Sequence, residues 1–161
     1  MMSYKTTAAL TIGFSLTLIG CSKVEKPATE AVLSSAEAPF LVDKTLCEFG
    51  LKTCTQTINE LTISLAISPT NTPSEKPLDV YLDFSKSVGD LSVRVEGRDM
   101  FMGVIPVFLN QTTENRYQGN LIYGSCSSNY MVWRMFVSFS LDGQSQTVLF
   151  DFLADSNENQ K

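Results

Sequence analysis

Residues 131–141 read Met-Val-Trp-Arg-Met-Phe-Val-Ser-Phe-Ser-Leu, and this stretch decides the fold. Every second side chain is large and apolar, in the order Met131, Trp133, Met135, Val137, Phe139 and Leu141. Because successive side chains of a β-strand point to opposite faces, this alternation predicts a strand with one buried face. The Asp142-Gly143 pair that follows is typical of a β-hairpin turn, so we expect a return strand over residues 147–153.

The same period of two recurs earlier in the chain. Apolar and polar residues alternate through 61–67, 78–84, 91–96 and, less regularly, 116–123. Residues 104–109 are apolar, but Pro106 cannot donate a ladder hydrogen bond and favours an edge strand or a bulge. The polar residues 110–115 are expected to form a loop.

About seven strands, short loops and no amphipathic helix are typical of an immunoglobulin-like sandwich. We therefore predict an all-β fold, a single β-sandwich domain over residues 45–155 with Trp133 in its core. The composition agrees, since 43% of the 161 residues are hydrophobic, enough for a core.

The charged residues and the missing histidine exclude several functions. Because the chain has no histidine, Ser-His-Asp and Cys-His catalysis and histidine-based zinc sites are excluded. With 12 Lys plus Arg against 17 Asp plus Glu and no basic cluster, nucleic acid is not an expected partner. No catalytic set of side chains and no glycine-rich phosphate loop stands out, so we expect no enzymatic activity.

The amino terminus has the pattern of an export signal. One positive charge within residues 1–5 precedes an uncharged, mostly apolar run, which is shorter than a comfortable membrane span. The run ends Leu18-Ile19-Gly20-Cys21, which resembles the lipobox of bacterial lipoproteins. The resemblance implies that the signal peptide, residues 1–20, is removed and that lipid, including palmitate, is attached to Cys21. The alternative is an ordinary secretory signal with a chance cysteine.

A lipidated Cys21 would anchor the chain in a membrane of the bacterial cell envelope, facing the periplasm. Ser22 follows the cysteine, and by resemblance to enterobacterial sorting rules a residue other than Asp favours the outer membrane. Residues 21–44 are rich in Ala, Ser, Glu and Lys and are predicted to be a flexible tether. Residues 156–161 are predicted to be a polar tail.

Three cysteines remain after Cys21. Cys47 and Cys54 enclose a short loop with Gly50 in its middle, and an oxidising compartment favours a local disulfide between them. Cys126 then keeps its thiol. The alternative is that Cys126 pairs with one of the other two.

The four methionines outside the predicted signal peptide lie in one part of the chain, close to a cysteine. Met100 and Met102 would point to the same side of an extended chain. Cys126 follows a glycine and a serine, and Met131 begins the longest predicted strand. If the strands bring these segments together, two or three thioethers and a thiolate converge.

Thioether and thiolate sulfur select soft ions, so the sharpest hypothesis is a Cu(I) site formed by Met100, Met102, Cys126 and Met131. Gly103 and Gly124 are expected to let the backbone approach such a site closely. The alternative is that these methionines fill gaps in the core, as we expect of Met135. In that case the domain is a structural or protein-interaction module of the envelope without metal.

The order of these motifs also carries a resemblance. It consists of Cys-x6-Cys (Cys47 and Cys54), Met-x-Met-Gly (residues 100–103), Tyr-x-Gly (residues 117–119), Cys126 and Met-x-Trp (residues 131–133). This order resembles an uncharacterised family of exported proteobacterial lipoproteins, and loosely the FixH/YtkA-like group of small β-sandwiches associated with copper and cytochrome oxidase assembly. The resemblance implies copper delivery or oxidase assembly, with a copper-dependent oxidase or a copper chaperone as partner.

Overall fold

The computed structural model describes residues 43–126 and 130–156. The predicted signal peptide, Cys21, most of the predicted tether and nearly all of the predicted tail therefore lie outside the described residues. Within the described part, the chain is all-β, and none of it forms a helix that could span a membrane. The prediction of an all-β sandwich is confirmed.

The described residues form nine strands, numbered β1 to β9 in chain order. They are Cys54–Ile58, Leu61–Ser68, Leu78–Phe84, Gly89–Gly97, Val104–Val107, Leu109–Thr113, Arg116–Leu121, Val132–Leu141 and Gln144–Leu153. One sheet has the order β1-β2-β3-β7-β6 and the other the order β5-β4-β8-β9. All paired strands are antiparallel.

The core lies between the two sheets and follows the alternation of the sequence. In β2 and β3 the apolar residues are buried and the residues between them are partly exposed. β8 follows the same rule, and Trp133 is only 1% exposed, as predicted. Its ring packs on Tyr123, with 4.9 Å between the ring centroids. The burial of one face per strand supplies the main driving force for this fold.

Two strands more than the predicted seven are present. β1 was not predicted, because its central Thr-Gln-Thr is exposed and polar and has no apolar alternation. The predicted strand over 104–109 is two strands, β5 and β6, which are separated at Phe108 and belong to different sheets. The prediction of a loop over 110–115 was also wrong, since β6 is a polar edge strand.

The proline prediction was right. β5 is an edge strand, so it pairs with β4 on one side only. Pro106, which has no N–H to donate, is tolerated in such a strand. Where the chain passes from β5 to β6, and so from one sheet to the other, its backbone closely approaches β7. A Cβ on Gly119 of β7 would collide with the carbonyl oxygen of Phe108 and would lie 2.8 Å from the Leu109 side chain.

A disulfide joins Cys47 and Cys54, as predicted. The alternative, in which Cys126 pairs with Cys47 or Cys54, is therefore excluded. The backbone N–H of Cys47 donates a hydrogen bond of 2.7 Å to the carbonyl oxygen of Asp151 in β9. The loop closed by the disulfide is thereby fixed to the edge of the four-stranded sheet.

Candidate sulfur site

Four predicted site residues meet at one end of the sandwich, which we call the loop end. The loop end is where β4 and β7 finish and where β5 and β8 begin. Gly97, the last residue of β4, pairs with Trp133 near the start of β8. The β4–β5 loop, with Met100 and Met102, therefore lies next to Met131, which directly precedes β8.

Gly97 is the point on which the three methionines converge. A Cβ placed on Gly97 would collide with the carbonyl oxygen of Met100. The same position lies 2.8 Å from Cε of Met131 and 3.3 Å from Cγ of Met102. Only a residue without a side chain fits between these groups, because real Cβ atoms do not tolerate such contacts.

This finding corrects the expectation for Gly103 and Gly124. A Cβ on either residue would meet nothing within 4 Å, so neither one allows a close approach. Gly103 has a φ of 83°, a backbone conformation that side chains rarely adopt, and its role is in the turn. The close approach depends on Gly97, which the sequence does not mark because a glycine at a strand end is common.

Cys126 reaches the methionines through Met100. The thiol of Cys126 lies 3.8 Å from Sδ of Met100, within hydrogen-bonding range for sulfur. Two sulfur ligands at ~2.3 Å from a tetrahedral metal ion are ~3.8 Å apart. The separation of the two sulfurs is therefore compatible with two ligands of one metal ion.

The four residues, which we call the sulfur cluster, extend from the core to the solvent. Met131 is 6% exposed and belongs to the core. Met102 and Cys126 are partly buried and pack against the core. Met100 is 44% exposed. Met135 is fully buried and lies in β8 between Val95 of β4 and Phe150 of β9, as predicted for a core residue.

An ion-pair network holds the β4–β5 loop. The Arg98 guanidinium donates through Nη1 to Asp43 at 2.7 Å and through Nε to Asp99 at 3.1 Å. The same Nη1 lies 3.5 Å from Asp151, which also accepts two hydrogen bonds from Arg134. The side chains of Arg98 and Asp43 are mostly shielded from water, so this ion pair holds the loop at Arg98, its first residue.

Asp43 is the first described residue and lies next to the last residue of the predicted tether, residues 21–44. Hydrogen bonds from Thr45 and from Arg98 lower the pKa of Asp43 to about 2. Nothing in the sequence connects Asp43 with the sulfur cluster, since a single carboxylate is not a pattern. Asp43 is therefore joined to the folded domain through Arg98.

The segment that carries Cys126 is held by the β2–β3 loop. The Tyr123 hydroxyl donates to the carbonyl oxygen of Thr72 at 2.5 Å, and burial raises the pKa of Tyr123. Ser125, next to Cys126, donates to the Glu75 carboxylate at 2.6 Å. These bonds fix the chain on both sides of Gly124, so the position of Cys126 depends on a loop that is distant in sequence.

Among residues 43–126 and 130–156, no group of three or more His, Cys, Asp or Glu side chains is arranged to hold a metal ion. The sulfur cluster is of a different kind, since three of its four candidate ligands are thioethers. Its donors are soft, and soft donors favour soft ions.

Comparison with known proteins gives distant structural similarity. No family model matches the chain, and no curated protein matches it. A DUF4785 family protein from Legionella pneumophila has a TM-score of 0.44 and 12% identity over 58% of this chain and 28% of its own. The GAE domain of GGA2p from Saccharomyces cerevisiae has a TM-score of 0.36 and 14% identity over 63% of this chain and 96% of its own.

Proposed function

We propose that this protein is a lipoprotein of the bacterial cell envelope whose domain binds Cu(I) at the sulfur cluster. Met100, Met102 and Met131 would provide thioethers and Cys126 would provide a thiolate. The bound ion would be available for copper delivery or oxidase assembly, the roles that the motif order implies. The role is binding, and no catalytic step is assigned to any residue.

One observation carries the proposal. Three segments that are separate in the sequence place all four sulfur residues around Gly97 and Met100 at the loop end. A core that merely contained methionine would not require a thiol 3.8 Å from a thioether that is 44% exposed. The pair is reachable from solvent, and an ion can therefore enter and leave.

The charges of the ligands favour Cu(I) over Zn(II). Thioethers are neutral, so the Cys126 thiolate would supply the one negative charge of the set. It balances the single charge of Cu(I) and leaves a neutral site, which costs little to place beside an apolar core. Zn(II) would leave an excess positive charge there, and zinc in addition prefers imidazole and several thiolates.

The lipid anchor is supported by the sequence alone. The pattern that ends at Cys21 joins an uncharged apolar run to a lipobox-like motif. Acyl chains attached to that cysteine would hold the domain at a membrane surface, because each buried methylene adds to the binding free energy. The anchor and the copper site are separate parts of the proposal, and each has its own test.

Anaerobic titration with Cu(I) against a coloured Cu(I) chelator tests the copper site. The wild-type protein is expected to remove one equivalent of Cu(I) from the chelator and to leave Zn(II) with a zinc indicator. Cys126→Ser is expected to weaken Cu(I) binding at least ~100-fold, because it removes the only charged ligand. A ~100-fold loss of affinity corresponds to about 2.7 kcal/mol of binding free energy. A wild-type protein that does not compete for Cu(I) would refute the site.

A second function has its own observation. Met131 lies in the core, and Met102 and Cys126 pack against that core. A protein-interaction domain without metal would show the same packing of sulfur-containing side chains. The same titration separates the two functions. A metal-free domain would give identical chelator competition for the wild type and for Cys126→Ser.

A further inference from the structure

Exposed apolar side chains are concentrated at the loop end. Of the seven large hydrophobic side chains that are exposed in the described residues, four lie there: Met100, Phe101, Val104 and Ile122. Phe101 is 82% exposed, at the tip of the β4–β5 loop. The contact between Met100 and Cys126 joins this loop to the segment that carries Ile122. We call Phe101, Val104 and Ile122 the apolar tip, whereas Met100 belongs to the sulfur cluster.

The folded domain begins at the same end. Asp43 is bound to Arg98, which lies three residues before Phe101 in the sequence. Asp43, the first described residue after the proposed lipid anchor, therefore lies at the same end of the sandwich as the apolar tip.

We propose that the apolar tip docks on the lipid bilayer that carries the anchor, with Phe101 inserted among the lipids. The inference rests on the lipid anchor of the proposed function and does not require the copper site. It assigns an orientation to the domain, with the loop end toward the bilayer and the opposite end toward the periplasm.

The docking needs little intrinsic affinity. Cys21 and Asp43 are only 22 residues apart in the sequence, so an acylated Cys21 would keep the tip at a high effective concentration near the lipids. Apolar side chains that reach the boundary between headgroups and acyl chains add a favourable term for each one that leaves water. A few exposed side chains are therefore sufficient once the anchor is in place.

Tryptophan quenching by brominated lipids tests the orientation. The full chain is expressed, purified with its acyl groups and reconstituted in phosphatidylcholine vesicles with brominated acyl chains. Two variants are compared, Phe101→Trp and Phe108→Trp. Phe108 is a matched control because it is 81% exposed but follows the end of β5, about 13 Å along the sheet from Val104 at ~3.3 Å per residue. The buried Trp133 gives the same background in both.

Phe101→Trp is expected to lose about half of its added emission, since bromine atoms in the outer part of the acyl region reach a side chain inserted by ~5–10 Å. Phe108→Trp should keep its emission. Equal quenching of the two variants in acylated protein would overturn the inference and leave the anchor and the copper site intact. Mass spectrometry of the same samples separates the other case, because protein without acyl groups would overturn the anchor and the inference together.

Discussion

Met131 and Met135 lie four residues apart, the first directly before β8 and the second within it, and they meet different surroundings. Met135 is enclosed at the centre of the sandwich by Val95 and Phe150. Met131 lies at the loop end, where its methyl group approaches Gly97 and where Met102 and Met100 also lie. The comparison shows that alternation in the sequence predicts which side chains are buried. Whether a buried methionine can join a binding site depends on its position, at the centre of the sheet or at its end.

The largest effect is expected from opening the centre. Trp133→Ala should lower the free energy of unfolding by about 3–5 kcal/mol, because it removes a large aromatic side chain from a closely packed core. Chemical denaturation measures this loss. Phe101→Ala at the loop end is the matched control and should change stability by less than ~0.5 kcal/mol, since its ring is exposed. Similar losses in both variants would mean that the two regions do not differ in packing.

The next effect tests the convergence at the loop end. Gly97→Ala should destabilise the domain by about 1–3 kcal/mol, because the new methyl group meets the Met100 carbonyl, which cannot move away as a side chain can. It should also weaken Cu(I) binding by displacing the methionines. Denaturation and chelator competition measure the two effects.

Gly124→Ala is the control for this substitution. A Cβ at Gly124 meets nothing within 4 Å, so that variant should keep its stability and its affinity for Cu(I). A neutral Gly97→Ala variant would contradict the close approach of the three methionines.

A smaller effect separates the two methionines directly. Met131→Leu and Met135→Leu should each cost less than ~1.5 kcal/mol of stability, because the exchange nearly conserves volume. Only Met131→Leu removes a proposed ligand, and only it should weaken Cu(I) binding in the chelator assay. If both variants bind Cu(I) as tightly as the wild type, Met131 is not a ligand. If both variants bind Cu(I) more weakly by the same factor, the centre matters for binding as much as the loop end does.

The smallest effect concerns the pH dependence of the loop end. The pKa of Asp43 is lowered from 3.8 to about 2 by Thr45 and Arg98, so its charged form stabilises the fold. That contribution is fully present above about pH 4 and is lost as the pH falls toward 2. Thermal unfolding should show Asp43→Asn slightly below the wild type at pH 7 and equal to it near pH 2. A constant difference across this range would refute the role of the Asp43 charge.

Much of the fold could be predicted because its signals are local. The alternation in residues 61–67 and 78–84 became β2 and β3, and the Asp142-Gly143 turn joins β8 to β9. The failures occurred in β1 and β6, the outermost strands of the five-stranded sheet. Their side chains are mostly exposed, and hydrogen bonds to one neighbour, rather than an apolar face, keep them in the sheet.

For the sulfur cluster, the sequence supplied the candidate ligands and their soft chemistry but none of their separations. It also drew attention to Gly103 and Gly124, although the convergence depends on Gly97. The supporting residues Asp43, Arg98 and Glu75 were not candidates, because charged residues in loops have no period that marks them. The signal for Gly97 appears only when β4 and β8 are placed side by side.

The sequence by itself determined the faces of the buried strands and the residue types of the sulfur cluster, and it favoured the local disulfide. Each depends on chain geometry over a few residues, such as the two-residue period of a strand or the short loop between Cys47 and Cys54. Only the tertiary structure decided that Met100 contacts Cys126, 26 residues away, and that Arg98 binds Asp43, 55 residues away. Such contacts follow from the order of strands in the sheets, and that order is set by the packing of the whole core rather than by any one segment.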